Sequence, residues 1–183
     1  KAAVEAKGAK SGLIIVMNPQ NGEIYAMANY PTFDLNEPFT INDPELAKAW
    51  DTFTSEEKND YLNRMWRNKA INDTYEPGST FKIFTALEYI HENPDYASYS
   101  FDCEGELTVD GNQIHCYHNS VHGQQNLIQS FANSCNTSFA NLGLTLNIGS
   151  FTELLESMMF NQELPGSLSS TVSRFTLTDD AGT

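Results

Sequence analysis

Ser79-Thr80-Phe81-Lys82 sets a hydroxyl and an amine three residues apart, a spacing that puts both on one face of a helix. A serine hydroxyl is a poor nucleophile until a base removes its proton. Lysine can be that base only when burial lowers its pKa and leaves it neutral. The run from Phe81 to Ile90 is apolar nearly all round, and Lys82 is the last lysine or arginine before Arg174. A helix starting at or near Ser79 would also favour negative charge developing on its oxygen. The pattern equally fits an N-cap serine with a snorkelling lysine. A second match, Ser55-Glu56-Glu57-Lys58, has two carboxylates beside its lysine, which stays protonated there; that match is chance.

Ser134-Cys135-Asn136 falls at an expected break between two helices. Its hydroxyl could relay a proton and its amide could orient a carbonyl, or both could simply cap a helix. Cys103, Cys116, His115, His118 and His122 crowd into twenty residues. If residues 114–118 are extended, Cys116 and His118 share a face opposite His115. Cys103, Cys116, His118 and His122 could then hold a tetrahedral structural zinc, with Asp102 a possible substitute. A Cys103–Cys116 disulfide across a hairpin is the alternative, and free thiols a third. Cys135 is expected to be a small buried residue.

The elements that must position these groups follow from pattern. Leu13–Met17 and Ile24–Ala28 read as paired strands joined through Asn21-Gly22, a tight-turn pair. The first, continuously apolar, is expected to be buried on both faces. Residues 43–53 and 56–65 read as helices, the second opened by a Thr54/Glu57 capping box. Leu107, Val109, Asp110-Gly111 and Ile114 suggest a hairpin. Helices are expected over roughly 125–132 and 137–148, with Leu127, Ile128 and Phe131 on one inward face and Phe139, Leu142 and Leu146 on another. Residues 166–183 are Ser/Thr-rich with no terminating element.

The chain has 183 residues and a formal net charge of −14. Residues 83–183 hold twelve acids against Arg174 alone. That excludes a phosphate-binding surface, and so a nucleic-acid binder. A hydrophobic fraction of 40% suffices for a globular core and excludes a disordered tail. No apolar run is long enough for a membrane span and none resembles a signal peptide, as expected of a fragment or of a cytosolic protein. Three cysteines leave the redox compartment open.

Tyr75-Glu76-Pro77-Gly78-Ser79-Thr80-Phe81-Lys82 closely resembles the active-site segment of penicillin-binding proteins. Phe131-Ala132-Asn133-Ser134-Cys135-Asn136-Thr137 resembles their second motif. Val16-Met17-Asn18-Pro19, Ala28-Asn29-Tyr30-Pro31 and Ile114-His115-Cys116-Tyr117 through His122-Gly123 extend the likeness over most of residues 10–145. It looks most like the class B, monofunctional D,D-transpeptidases of Gram-positive, clostridial-like bacteria, of the elongation or sporulation type. The resemblance implies an α/β fold, with helices flanking a mostly antiparallel sheet. It implies Ser79 as nucleophile, Lys82 as general base, Ser134 as proton relay to the leaving amine and Asn136 as holder of the substrate amide. It further implies a D-Ala-D-Ala stem peptide as substrate, β-lactams as covalent inhibitors, catalysis without a cofactor, a glycosyltransferase partner, and a membrane-anchored enzyme on the extracytoplasmic face.

The family's third motif, Lys-Thr/Ser-Gly, belongs downstream of the second. Lys10-Ser11-Gly12 precedes everything and is read as a decoy. The chain is therefore expected to be the N-terminal portion of a transpeptidase domain, with the third motif beyond residue 183. The rivals are a serine β-lactamase, a β-lactam sensor domain, or a non-catalytic binding module with Ser79 as a helix cap. Class D lactamases resemble the first motif but carry an apolar residue where this chain has Asn136. A class A enzyme needs an additional carboxylate, for which Glu153, Glu156 and Glu163 give no convincing match.

Overall fold

The structure, a computed structural model, describes residues 1–166 and 168–177. Residues 178–183, the end of the Ser/Thr-rich stretch, lie outside them. The chain divides into two compact units, residues 1–74 with 166–171, and residues 75–165 with the segment from 172 onward.

In the first unit, α1 (Ala2–Ala6) precedes an antiparallel pair, β1 (Gly12–Met17) and β2 (Ile24–Tyr30). Gly22 takes a positive φ of 75° but Asn21 does not, so the connection is not the expected two-residue turn. Asn18 closes a longer loop instead. Its backbone N–H donates to Glu23 O at 2.8 Å, and its side-chain oxygen accepts from Gln20 N at 2.9 Å. The strands are also less covered than their apolar run predicts, with Ile14 64% and Tyr25 61% exposed. The helices against them in this unit are short. One is the single turn Lys69–Asn72, whose cap Asn68 accepts from Asn29 Nδ2 at 2.7 Å.

Asp43 caps α2 (Pro44–Ala49), which tightens into a 3-10 turn at Trp50–Thr52. α3 (Ser55–Trp66) opens with the expected capping box of Thr54 and Glu57. α4 is Lys69–Asn72.

The second unit carries the two motifs. Gly78–Phe81 is a 3-10 turn running into α5 (Lys82–Glu92), so the regular helix begins later than expected. Short strands follow. β3 (Phe101–Cys103) pairs with β6 (Gly123–Gln125), and β4 (Glu106–Val109) with β5 (Asn112–His115), all antiparallel. Asp110 and Gly111 both take positive φ, 49° and 79°, the pair that a two-residue hairpin requires. α6 (Leu127–Ala132) and α7 (Asn136–Gly143) flank the expected break.

α8 (Ile148–Ser157) was not anticipated. Its signal was present: Asn147 caps Ser150 N, and Phe151, Leu154 and Leu155 recur at helical spacing. Phe139 and Leu142 of α7 are buried with Ala86 and Leu127. Leu146, Phe151 and Leu155 form a second cluster under Phe81, Phe84, Phe160 and Phe175. This core clamps α5 between α7 and α8. Ile128 (76% exposed) and Phe131 instead line an open apolar groove of about 420 Å³ with Ile83, Leu87 and Ile90. Among the described residues no helix is long and apolar enough to cross a membrane.

Candidate active site

Ser79 sits mid-way through the 3-10 turn, whose backbone eclipses positions i and i+3. This brings Lys82 Nζ to 3.3 Å from Ser79 Oγ. Ser134 lies at the α6–α7 break with a positive φ of 50°, a left-handed conformation that costs free energy in any non-glycine residue. There its hydroxyl donates to Ser79 Oγ at 3.1 Å. Asn136 opens α7 and orients its amide by two contacts. Its Oδ1 accepts from Lys82 Nζ at 2.6 Å, and its Nδ2 donates to His115 O at 2.8 Å. Lys82 Nζ also donates to Ser134 O at 2.6 Å and approaches Ser134 Oγ at 3.0 Å.

All four residues singled out from the sequence thus converge, although 57 positions span them in the chain. Ser79 is exposed, while Lys82 is half-buried with Phe139's ring 5.7 Å from its nitrogen. Burial lowers the Lys82 pKa from the ordinary lysine value; Cys135 and Cys116 oppose the shift. The arrangement can therefore deprotonate a hydroxyl and pass its proton on. The His115 carbonyl, at the end of β5, is a contributor that residue-type reasoning could not find, because any residue supplies a carbonyl.

Directly behind the loop, Cys103, Cys116, Cys135 and His122 gather their ligand atoms within 4.8 Å of one another. The three thiols are free and buried. Cys103 Sγ lies 3.7 Å from Cys116 Sγ and 3.4 Å from His122 Nδ1, and Cys116 Sγ lies 3.7 Å from Cys135 Sγ. The four-ligand set read from sequence needs correction. Strand β5 ends at His115, and His118 enters a turn at φ 51°, exposed and with its ring against Tyr117. Cys135 replaces it. Asp102, also exposed on β3, takes no part in the group. Sequence pattern alone gives Cys135 only a packing role, because nothing local relates it to cysteines nineteen or more positions away.

Thr137 Oγ1 lies 3.3 Å from Cys103 Sγ, 3.3 Å from Cys135 Sγ and 3.6 Å from Cys116 Sγ. Burial pushes the Cys103 thiol up, but hydrogen bonds from Thr137, from the His122 and Gly105 backbone and from the His122 ring outweigh it, leaving the pKa at about 6. Burial raises the Cys135 thiol. The donor set, three sulfurs and one imidazole, suits a soft or borderline divalent cation.

Residues 12–181 match the family of the penicillin binding protein transpeptidase domain. Stage V sporulation protein D of Bacillus subtilis (strain 168) is 32% identical over 161 residues, covering 87% of this chain and 22% of that protein. The peptidoglycan D,D-transpeptidase PbpA of Mycolicibacterium smegmatis is 28% identical over 149 residues, covering 73% of this chain and 27% of that one. Among solved structures, the D,D-transpeptidase domain of a peptidoglycan glycosyltransferase from Eggerthella lenta is 26% identical with a TM-score of 0.69, covering 95% of this chain and 39% of that one. The chain thus spans about a quarter of the length of these curated relatives. With its helices and antiparallel strands forming part of that α/β fold, the chain belongs to the penicillin-binding-protein transpeptidase family.

Proposed function

We propose that the protein is a serine D,D-transpeptidase of the class B type that cross-links peptidoglycan. The observation that carries this reading is the convergence of Ser79, Lys82, Ser134 and Asn136 within hydrogen-bond reach. A neutral lysine amine has two hydrogens and one lone pair. Ser134 O and Asn136 Oδ1 can only accept, and they are its nearest partners. They take the two hydrogens and leave the lone pair for a hydroxyl proton. Ser79 Oγ then attacks the carbonyl carbon of the D-Ala-D-Ala bond as its proton passes to Lys82.

Ser134 relays a proton to the departing D-alanine amine when the C–N bond breaks, leaving an ester on Ser79. Asn136 holds the stem-peptide amide. An acceptor amine attacks the ester carbonyl, gives up a proton through the same relay, and restores the Ser79 hydroxyl. A β-lactam follows the first half by opening its ring, and its acyl group stays on Ser79.

Acyl transfer of this kind needs no cofactor. The cysteine–histidine group supports a structural zinc instead, and the convergence of its four ligand atoms favours that second element. The complete transpeptidase domain includes a Lys-Thr/Ser-Gly motif downstream of residue 183; Lys10-Ser11-Gly12, leading into β1, is not that motif. The enzyme works on the extracytoplasmic face of the cell membrane beside a wall-synthesis glycosyltransferase.

A fluorescent penicillin tests the reading on the full-length protein. Covalent labelling that disappears in Ser79→Ala is expected. Absence of labelling would overturn an acyl-enzyme, and rapid release of the label would favour a β-lactamase.

A further inference from the structure

The backbone around Ser134 closes α6 as a Schellman motif. Asn133 is the C-cap, Ser134 N donates to Phe131 O at 3.0 Å, and Cys135 N reaches back to Ser130 O at 3.0 Å. These are the 5→2 and 6→1 bonds of that motif, whose left-handed position is usually glycine. Ser134 occupies it at φ 50°, and a side chain persists there only where its surroundings over-determine it. Ser130 supplies part of that constraint twice. Its carbonyl takes the Cys135 bond, and its fully buried hydroxyl accepts from Ser138 Oγ at 2.8 Å. That second bond joins the last turn of α6 to the first turn of α7, across the residues that carry Ser134 and Asn136.

Ser138 is in turn held by Tyr99, two residues before β3. Ser138 gives its single hydroxyl hydrogen to Ser130, so its oxygen accepts from the Tyr99 phenol at 2.9 Å. The Tyr99 ring meets Tyr89 of α5 edge-on at 5.4 Å, and both pack on the core that α5 shares with α6 and α7. Lys82 opens α5. The hydroxyl chain and the ring pair thus connect the loop that holds the proton relay to the helix that holds the base.

We propose that Ser130, Ser138 and Tyr99 form a buried hydroxyl buckle that fixes Ser134 and Asn136 at the distances from Ser79 and Lys82 that acylation requires. The inference rests on the transpeptidase reading. All three are positioning residues. Ser130 and Ser138, fully buried, act through the Ser134–Asn136 loop, and Tyr99 acts through Ser138.

The test follows penicillin acylation of the full-length protein by stopped flow, separating the rate constant from the dissociation constant. Ser138→Ala should slow the acylation rate constant by about tenfold or more, the order of cost that a small displacement of a reacting group carries. The dissociation constant should change little. Tyr99→Phe, which keeps the ring and removes one hydroxyl, should slow acylation by a smaller factor. The double variant should be no slower than Ser138→Ala, because both changes open one chain. Leu142→Ala on the same helix is the control: it lowers stability, and its folded fraction should acylate at the wild-type rate.

Wild-type rate constants in Ser138→Ala and Tyr99→Phe would overturn the buckle. An equal loss in Leu142→Ala would overturn it too, by reducing the effect to stability. If Ser138→Ala does not fold, Tyr99→Phe against Leu142→Ala decides the matter. A wild type that never labels would instead overturn the transpeptidase reading, and this inference with it.

Discussion

Ser134, exposed, and Asn136, half-buried, meet exposed Ser79, whereas Cys135 between them is fully buried among two thiols and an imidazole. The exposed side is held by Lys82, whose Nζ lies within hydrogen-bond reach of four oxygens. The buried side is held by sulfur contacts and the Thr137 hydroxyl. One three-residue loop is thus gripped from both faces, by groups brought from different elements. Reactivity needs access and a lowered pKa, while positional stiffness needs burial, and alternating side chains on one loop supply both.

The largest effect expected is on the exposed side. Ser79→Ala should abolish penicillin labelling while leaving metal content and thermal stability nearly unchanged. Lys82→Gln should slow acylation by roughly 10²–10⁴-fold, the usual worth of a positioned base. Lys82→Arg should not rescue it, because a guanidinium does not deprotonate. Burial lowers the Lys82 pKa, so the neutral base exists at lower pH than for a free lysine. Acylation should accordingly rise with pH along a limb centred below 10.5, the ordinary value. A limb at or above that value in a stopped-flow pH profile would contradict the assignment.

Stability changes probe the buried side. Leu142→Ala, at a fully buried position of α7, should cost about 2–5 kcal/mol in chemical unfolding. Its folded fraction should still acylate, since α7's first turn keeps its cap. Thr137→Val removes the hydroxyl that lies against three sulfurs and should cost about 1 kcal/mol. A detectable fall in acylation with that change would sharpen the link between the two faces. The smallest effect belongs to exposed His118: His118→Ala should shift stability by no more than about 0.5 kcal/mol.

Much of the exposed side was legible because its logic is local. Ser79 and Lys82 lie one turn apart, and Asp110-Gly111 and the Thr54/Glu57 box specify their own backbone. The pairing of the first motif with Ser134 and Asn136 came from family resemblance, since nothing in 57 residues of spacing encodes contact. His118 shows the limit on the other side. Alternation predicted its direction only while the strand continued, and the strand stops at His115.

By itself the sequence determined the short-range chemistry: caps, turns, the hairpin at 106–115, the apolar faces of α5 and α7, and a serine with a lysine one turn on. Tertiary structure decided which groups from different elements meet. Packing of α5 against α7 brought Lys82 to Asn136, and pairing of β3 with β6 brought Cys103 to His122. It also brought Cys135 into the buried group of Cys103, Cys116 and His122, because local pattern extends over a few residues, whereas contacts across the core depend on where the chain folds back.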